Sequence, residues 1–489
     1  MQGKMHGKQM AFWLLGCCLA AGSLGAQTND DINSGLQFNF STPGARSLAM
    51  GGAFLALADD ATAAYTNPAG LTNLTVGGSE VSLELRQWRY SNVFTQRGHS
   101  FGGPSGVGVD TISGIQQGES KSEVSGLSFL SLGYVLPKGF TIALYRHELA
   151  NFEAGIESEG ALTGVGDRRG NGERRLFRIF PARSTLDLQV VNYGFSGAYE
   201  LANRISIGAG VSYYQLDLAS RTERFFRAEQ DADHDGDVDA DDDRLSRQPG
   251  GFFGPPDLLG DNLNNVQTQE GDDDAWGVNA GVLWKINAGW SVGAAYRHGP
   301  DFDIKARYVY GPRGENPGQP ASPNLCTPLQ TRNCVGGQGI LHIPDVYGAG
   351  VAWTMSEGKT KITLDYDRVQ YSQLVKDLIN ILAREVNDFE RSDYKVDDAN
   401  EIHLGFENIL GIGSQLVATL RLGAWYDPAH TVEYTGPDEP LRTRFRPGED
   451  EIHGAAGVGL VIRENLQVDA AVDISSRIKT ASLSFVKFF

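Results

Sequence analysis

The stretch Trp276-Gly-Val-Asn-Ala-Gly-Val-Leu-Trp284, followed five residues later by Trp290-Ser-Val-Gly-Ala-Ala-Tyr-Arg297, decides the architecture. Trp276, Val278, Ala280, Val282 and Trp284 alternate with Gly277, Asn279, Gly281 and Leu283. Trp290, Val292, Ala294 and Tyr296 alternate with Ser291, Gly293, Ala295 and Arg297. A period of two places successive side chains on opposite faces of a strand. Both apolar faces end on aromatics, where a membrane barrel sets its interfacial girdles. The alternation lasts about 9–11 residues, the length a tilted strand needs to cross a bilayer.

The same period recurs in both directions along the chain. Ile205, Ile207, Ala209, Val211 and Tyr213 form one apolar face; Leu466, Val468, Ala470, Val472 and Ile474 form another. Very short turns are expected after Val135, Glu200, Trp284, Trp353, Asn408 and Ile462. Long polar loops are expected near 96–122, 151–182, 223–273, 309–342, 373–397 and 428–449. Short turns at one end and long loops at the other describe an outer-membrane barrel. The pattern predicts an all-β fold: a transmembrane antiparallel β-barrel of about 14 strands, from near Val81 to the C-terminus. The last residues, Ala481-Ser-Leu-Ser-Phe-Val-Lys-Phe-Phe489, resemble the C-terminal signal of outer-membrane barrels, with Lys487 where an apolar residue is usual. That implies the barrel-assembly machinery as a partner.

Composition agrees once faces are separated. Asp and Glu number 60 against 42 Lys and Arg, a net charge of −18, and no run after the N-terminus approaches the roughly 20 apolar residues of a spanning helix. The acid excess argues against nucleic-acid binding, which needs clustered Lys and Arg. Eight of the acids lie between Asp231 and Asp243.

Residues 1–26 read as a secretory signal. Lys4 and Lys8 precede an apolar stretch over 11–21, and Gly22-Ser-Leu-Gly-Ala26 offers small residues for cleavage. Leu14-Leu-Gly-Cys17 is a competing lipobox-like reading. Cys326 and Cys334, the cysteines left after cleavage, read in an exported protein as a disulfide-closed loop.

Residues 27–76 do not read as strands. Ser34-Gly-Leu-Gln-Phe-Asn-Phe-Ser-Thr-Pro-Gly-Ala-Arg-Ser-Leu-Ala-Met-Gly-Gly-Ala-Phe54 leads to Ala58-Asp-Asp-Ala61 and then Asn67-Pro-Ala-Gly-Leu71. This segment resembles the N-terminal hatch of the FadL/OmpP1/TodX family of outer-membrane transporters for hydrophobic compounds. Asp59, Asp60, Asn67, Pro68 and Ala69 carry the resemblance. It implies a hatch at 27–76 inside a barrel at 77–489. It also implies passive movement of fatty acids or aromatic hydrocarbons, with lateral exit through the wall. The segment is similar as well to the PorV-type proteins of a bacterial secretion system, which implies a docking role as a rival; a general porin is a second. A monomer in contact with outer-membrane lipid and lipopolysaccharide is expected, without enzymatic activity: His147, His298, His342, His403 and His453 are scattered and no nucleophile motif accompanies them.

Three loop features add expectations. Asp231, Asp233 and Asp235, with Gly236, Asp237, Asp239 and Asp242, match the ligand spacing of a calcium loop; Asp in place of Glu at the last position predicts weak, extracellular-range affinity for Ca2+. The bland alternative is a solvated acidic run. Residues 371–384 place Leu374, Val375, Leu378, Ile379 and Leu382 on one helical face, to floor a capture groove or to pack the loop. The Arg-rich stretch Asp167–Arg178 suits lipopolysaccharide phosphates or the protein's own acidic loops.

Overall fold

The computed structural model describes residues 40–76, 78–99, 114–158, 160–165, 175–179, 182–202, 204–225, 263–310, 334–376, 393–411, 416–437 and 445–489, with Phe38 and Arg442. The calcium-like loop, Cys326, Leu378, Ile379, Leu382 and the signal segment lie outside these residues.

In chain order, β1 (Ser79–His99), β2 (Ile115–Leu136) and β3 (Phe140–Ser158) lead to a hairpin of β4 (Gly160–Val165) and β5 (Arg175–Ile179). Next come β6 (Ala182–Ala202), β7 (Ile205–Phe225), β8 (Leu263–Lys285) and β9 (Trp290–Arg297). A second hairpin, β10 (Asp301–Tyr310) and β11 (Cys334–His342), precedes β12 (Val346–Met355) and β13 (Thr360–Val369). The chain finishes with β14 (Tyr394–Lys395), β15 (Ala399–Ile409), β16 (Leu416–Asp427), β17 (Glu433–Tyr434), β18 (Glu451–Ile462), β19 (Leu466–Ile474) and β20 (Ile478–Phe488).

Fourteen of these strands form an antiparallel ring, closed where β20 pairs with β1 from Phe488↔Glu80 to Ile478↔Tyr90. The hairpin β10–β11 pairs with the far part of β8, and β4 pairs with the far end of β1. The two-residue strands β14 and β17 pair only with each other. Each expected short turn falls between two strands that follow one another in the ring, from the 3-10 turn Pro137–Gly139 to the three residues between Ile462 and Leu466. Closure leaves no sheet edge, the condition for strands to cross lipid.

The expected strand length holds for one side of the ring only. Strands β9, β12, β13, β15, β16, β18, β19 and β20 have 8–12 residues, but β1, β2, β3, β6, β7 and β8 have 19–23. The long loops expected at 96–122, 151–182 and 223–273 are correspondingly shorter, because the ladders continue through their flanks.

The extra length has a different face chemistry. On β8 the outward positions change from Glu270, Asp272 and Asp274 to Trp276, Val278, Ala280, Val282 and Trp284. Trp276 is 64% exposed, so lipid contact is its only means of burial. The two tryptophans are about 26 Å apart along the strand, and a tilt of about 40° leaves roughly 20 Å of that along the membrane normal, within a barrel's apolar band of about 25 Å. Tyr213 packs on Trp276 at 5.3 Å, and at the short-turn end Trp290 stacks on Trp353 at 5.4 Å.

Beyond Trp276 the interior becomes apolar. Leu186, Leu188, Val190, Tyr214, Leu216, Leu218, Phe302 and Ile304 form one buried cluster inside this collar. Within the membrane band the interior is instead polar, with Ser196, Ser206, Asp365, His403, Arg421 and Asp469 buried. The faces thus exchange character at the membrane boundary, which the expectation of a polar lumen along the whole strand did not contain.

Candidate functional site

Residues 40–76 occupy the interior of the ring, and their backbone follows from their small side chains. Gly44 (φ 98°) opens the short helix α1 (Ala45–Ala49), and Gly51 (φ 64°) and Gly52 (φ 82°) reverse the chain in a conformation that favours glycine. A second turn, α2 (Ala63–Thr66), ends at Asn67, which is extended (φ −145°, ψ 94°) as the following Pro68 requires.

Wall side chains satisfy this segment's backbone. Glu84 Oε2 accepts from Gly44 N (3.0 Å), Asp365 Oδ2 from Leu55 N (2.7 Å) and Glu80 Oε1 from Ala61 N (2.7 Å). Ser291 Oγ donates to Ala56 O (2.8 Å), while Ser196 Oγ and Asn279 Nδ2 donate to Ala64 O (2.7 and 2.9 Å). Buried backbone groups need such partners, and no regular ladder supplies them here.

The motif residues that sequence singled out lie at these junctions. Asn67 Nδ2 donates to Leu55 O (2.9 Å) and to Val282 O of β8 (3.2 Å), and its Oδ1 accepts from Ala69 N (3.2 Å). Pro68 contacts the wall through backbone: a Cβ on Gly208 would lie 2.3 Å from Pro68 C. Asp60 caps the turn by accepting from Thr62 N (3.0 Å) and from the Thr62 hydroxyl. Asp59 accepts from Arg46 Nη1 (2.6 Å) and Lys361 Nζ (3.1 Å). Arg46 also reaches Glu407, which pairs with Arg421 (2.7 Å), and Arg421 pairs with Asp469 (2.6 Å). Seven charges on the segment, β13, β15, β16 and β19 thus form one network, and Arg46, Lys361 and Arg421 offset Asp59, Asp60, Glu407 and Asp469.

Above the segment lies a cavity of about 110 Å3. Phe38, Phe40, Leu48, Trp88, Leu149 and Tyr371 line its apolar side; Glu401, His403, Trp425, Asp427, His453 and Asp473 line the other. His403, Trp425 and His453 stack in a row, with centroids 5.2 and 3.9 Å apart. His403 Nδ1 donates to Gly51 O (2.7 Å), which ties the stack to the inner segment.

The cavity borders a break in the pairing of β2 with β3. The β2–β3 ladder runs only from Leu136↔Phe140 to Phe129↔His147. At that height both strands are bulged: the β1–β2 register skips Ser128, and the β3–β6 register skips Leu149. Bulges bend the strand that carries them and interrupt pairing. Ser128 and Phe129 are consecutively buried, as are Leu149 and Ala150, so alternation fails at both places. Farther along, Ser120 Oγ donates to Gly155 O (2.7 Å) and Glu153 N donates to Ser122 Oγ (3.2 Å). Between these bonds and the ladder is an unpaired stretch, the window, whose sides, Val124, Ser125, Glu148, Ala150 and Asn151, also line the cavity.

The expected capture helix is represented by a 3-10 turn, Tyr371–Val375. Leu374 is buried in the collar cluster and Val375 packs against it, so this portion packs the loop. Tyr371 stacks on His430 at 4.2 Å. Burial alone would lower the His430 pKa, but Asp427 at 3.3 Å and the Pro428 carbonyl outweigh it and raise the value to about 8. Burial keeps the Tyr371 hydroxyl protonated well above its ordinary range. Cys334 opens β11, and its pairing with Cys326 lies outside the described residues.

Comparison with solved structures shows the same fold in a Pseudomonas aeruginosa FadL homologue (14% identity; 92% of this chain and 99% of that chain; TM-score 0.57). The Ralstonia pickettii toluene transporter TbuX (15% identity; 92% and 99%; TM-score 0.51) and the P. putida toluene transporter TodX (16%; 92% and 99%; 0.51) are also similar. At these identities the likeness carries the fold alone. No curated protein sequence matches the chain. The family model for the outer membrane protein transport protein (OMPP1/FadL/TodX) matches residues 181–483, more than half of the chain. The chain therefore belongs to the OMPP1/FadL/TodX family of bacterial outer-membrane transport proteins, a family of channels rather than enzymes.

Proposed function

We propose that the chain carries hydrophobic small molecules inward across the outer membrane: through the apolar collar, into the cavity above residues 40–76, and out sideways between β2 and β3. The window carries this reading. Residues on both of its sides line the cavity, and the inner segment lies within the ring below. A lateral exit spares an apolar solute the aqueous space beneath the membrane, and its transfer into the bilayer is favourable by about 25 cal/mol per Å2 of apolar surface. The similar toluene transporters make monoaromatic hydrocarbons the first class to test, and long-chain fatty acids the second.

Residues 40–76 act as a plug in this account, and Asp231–Asp242 as an extracellular clip for Ca2+. A docking role for secreted partners would need no window at all. Uptake of radiolabelled propylbenzene by cells expressing the protein, against cells with the empty vector, tests the reading. Faster uptake is expected; equal uptake with co-purified secreted proteins would replace transport by docking.

A further inference from the structure

The cavity's polar side has a chemistry that the transport reading leaves unused. His453 Nδ1 donates to Asp473 Oδ1 (2.7 Å), and the other oxygen, Asp473 Oδ2, accepts from Trp425 Nε1 (3.0 Å). Both carboxylate oxygens are engaged, and the bond to Nδ1 fixes the imidazole's orientation. His453 is 0% exposed, and its Nε2 has no hydrogen-bond partner. A buried imidazole nitrogen left in this state is costly unless something arriving in the cavity satisfies it.

The charge around it selects what can arrive. Glu148, Glu401, Asp427 and Asp473 line the cavity, and the guanidinium that also lines it, Arg86, is held by Glu84 at 2.9 Å. His403, which also lines it, lies 3.4 Å from Glu401, so among the described residues an anionic headgroup would meet four carboxylates and only cations that are already paired. A hydrocarbon would fill the apolar side and leave Nε2 unsatisfied. A neutral hydroxyl suits both constraints, because it can donate to or accept from Nε2 without adding negative charge.

Resting on the transport reading, we infer that the cavity selects lipophilic molecules bearing a neutral hydroxyl, phenols or alcohols, with His453 Nε2 binding the hydroxyl while Phe38, Phe40 and Trp88 hold the apolar body.

The test compares three probes with one apolar body, propylbenzene, 3-phenylpropan-1-ol and 3-phenylpropanoate, titrated into the full-length protein in detergent micelles and followed by calorimetry. The alcohol should bind about tenfold tighter than propylbenzene, as one buried hydrogen bond allows, and tighter still than the carboxylate. His453→Phe keeps the ring stack on Trp425; it should bring the alcohol to the hydrocarbon's affinity and leave propylbenzene within about twofold. Glu401→Gln, which keeps His453, should retain the alcohol preference and lessen the penalty on the carboxylate. Equal binding of alcohol and hydrocarbon to the wild type, or tightest binding of the carboxylate, would overturn the inference and leave the transport reading standing. Binding of none of the three would overturn both.

Discussion

Arg46 Nε donates to Glu407 Oε2 over 2.8 Å, joining the inner segment to a strand 361 residues later in the chain. Both side chains are nearly buried, and Glu407 has Arg421 and Lys361 as further partners. Removing one member of a buried ion pair leaves the other charge uncompensated, at about 3–5 kcal/mol. Arg46→Met should therefore loosen residues 40–76 in the ring. In planar bilayers the wild type should show low conductance, and the variant larger and more frequent openings. A variant as quiet as the wild type would mean that the network does not hold the segment.

Four wall glycines make the fit between segment and ring. A Cβ on Gly423 would lie 2.1 Å from Gly51 N, and one on Gly293 would lie 2.2 Å from Leu55 O, both backbone atoms. Gly208 and Gly281 face Pro68 and Asn67 as closely. Overpacking of this kind costs about 1–3 kcal/mol, so Gly423→Ala should lower the thermal unfolding temperature in detergent. Gly454, with nothing within 4 Å of its Cβ position, is the control and should tolerate alanine without effect.

How far these features were legible in the chain differs by feature. The ring was readable because Trp276–Trp284 and its counterparts keep strict period two, and the inner segment because its glycines and Asn67-Pro-Ala interrupt that period. The collar left a sign that the reading passed over: apolar residues change from odd positions (Ile207, Val211, Tyr213) to even ones (Tyr214, Leu216, Leu218) on β7. The window was marked only in part, by the consecutive apolar pair Leu149-Ala150, while Ser128-Phe129 carries no such sign. A single such pair in a sequence is indistinguishable from a strand end. The His453–Asp473 pair was not readable, because its contact depends on the register Gly454↔Ile474 across a turn whose length sequence fixes only to a few residues.

The stack of Tyr371 on His430 should respond to pH. The folded pKa of His430, about 8, lies above its ordinary 6.5, so protonation stabilises the folded state. That stabilisation, on the order of 2 kcal/mol, is complete below about pH 6.5 and lost as pH rises through 8. Hydrogen exchange at residues 371–376 should accelerate between pH 6.5 and 8.5 beyond the intrinsic rate. His430→Phe should remove the pH dependence and keep the stack; an unchanged profile would assign the effect elsewhere.

Calcium should bind where the acidic run has ligand spacing. Isothermal titration of the full chain is expected to give one weak site that disappears in Asp231→Ala/Asp235→Ala. Equal heats in wild type and variant would leave 231–242 as a solvated acidic loop.

The lateral route depends on the window, and a cross-link across it is decisive. Ser125 on β2 and Asn151 on β3 flank the window on one face, opposite to the buried Ser122 and Phe152 of the same strands. In a background with Cys326 and Cys334 replaced by serine, Ser125→Cys/Asn151→Cys should close the window on oxidation. Leu132→Cys/Leu144→Cys, within the paired part of β2 and β3, is the control. The account predicts that oxidation abolishes propylbenzene uptake in the first variant, that reduction restores it, and that the control is unaffected. Full uptake through the oxidised first variant would contradict exit between β2 and β3.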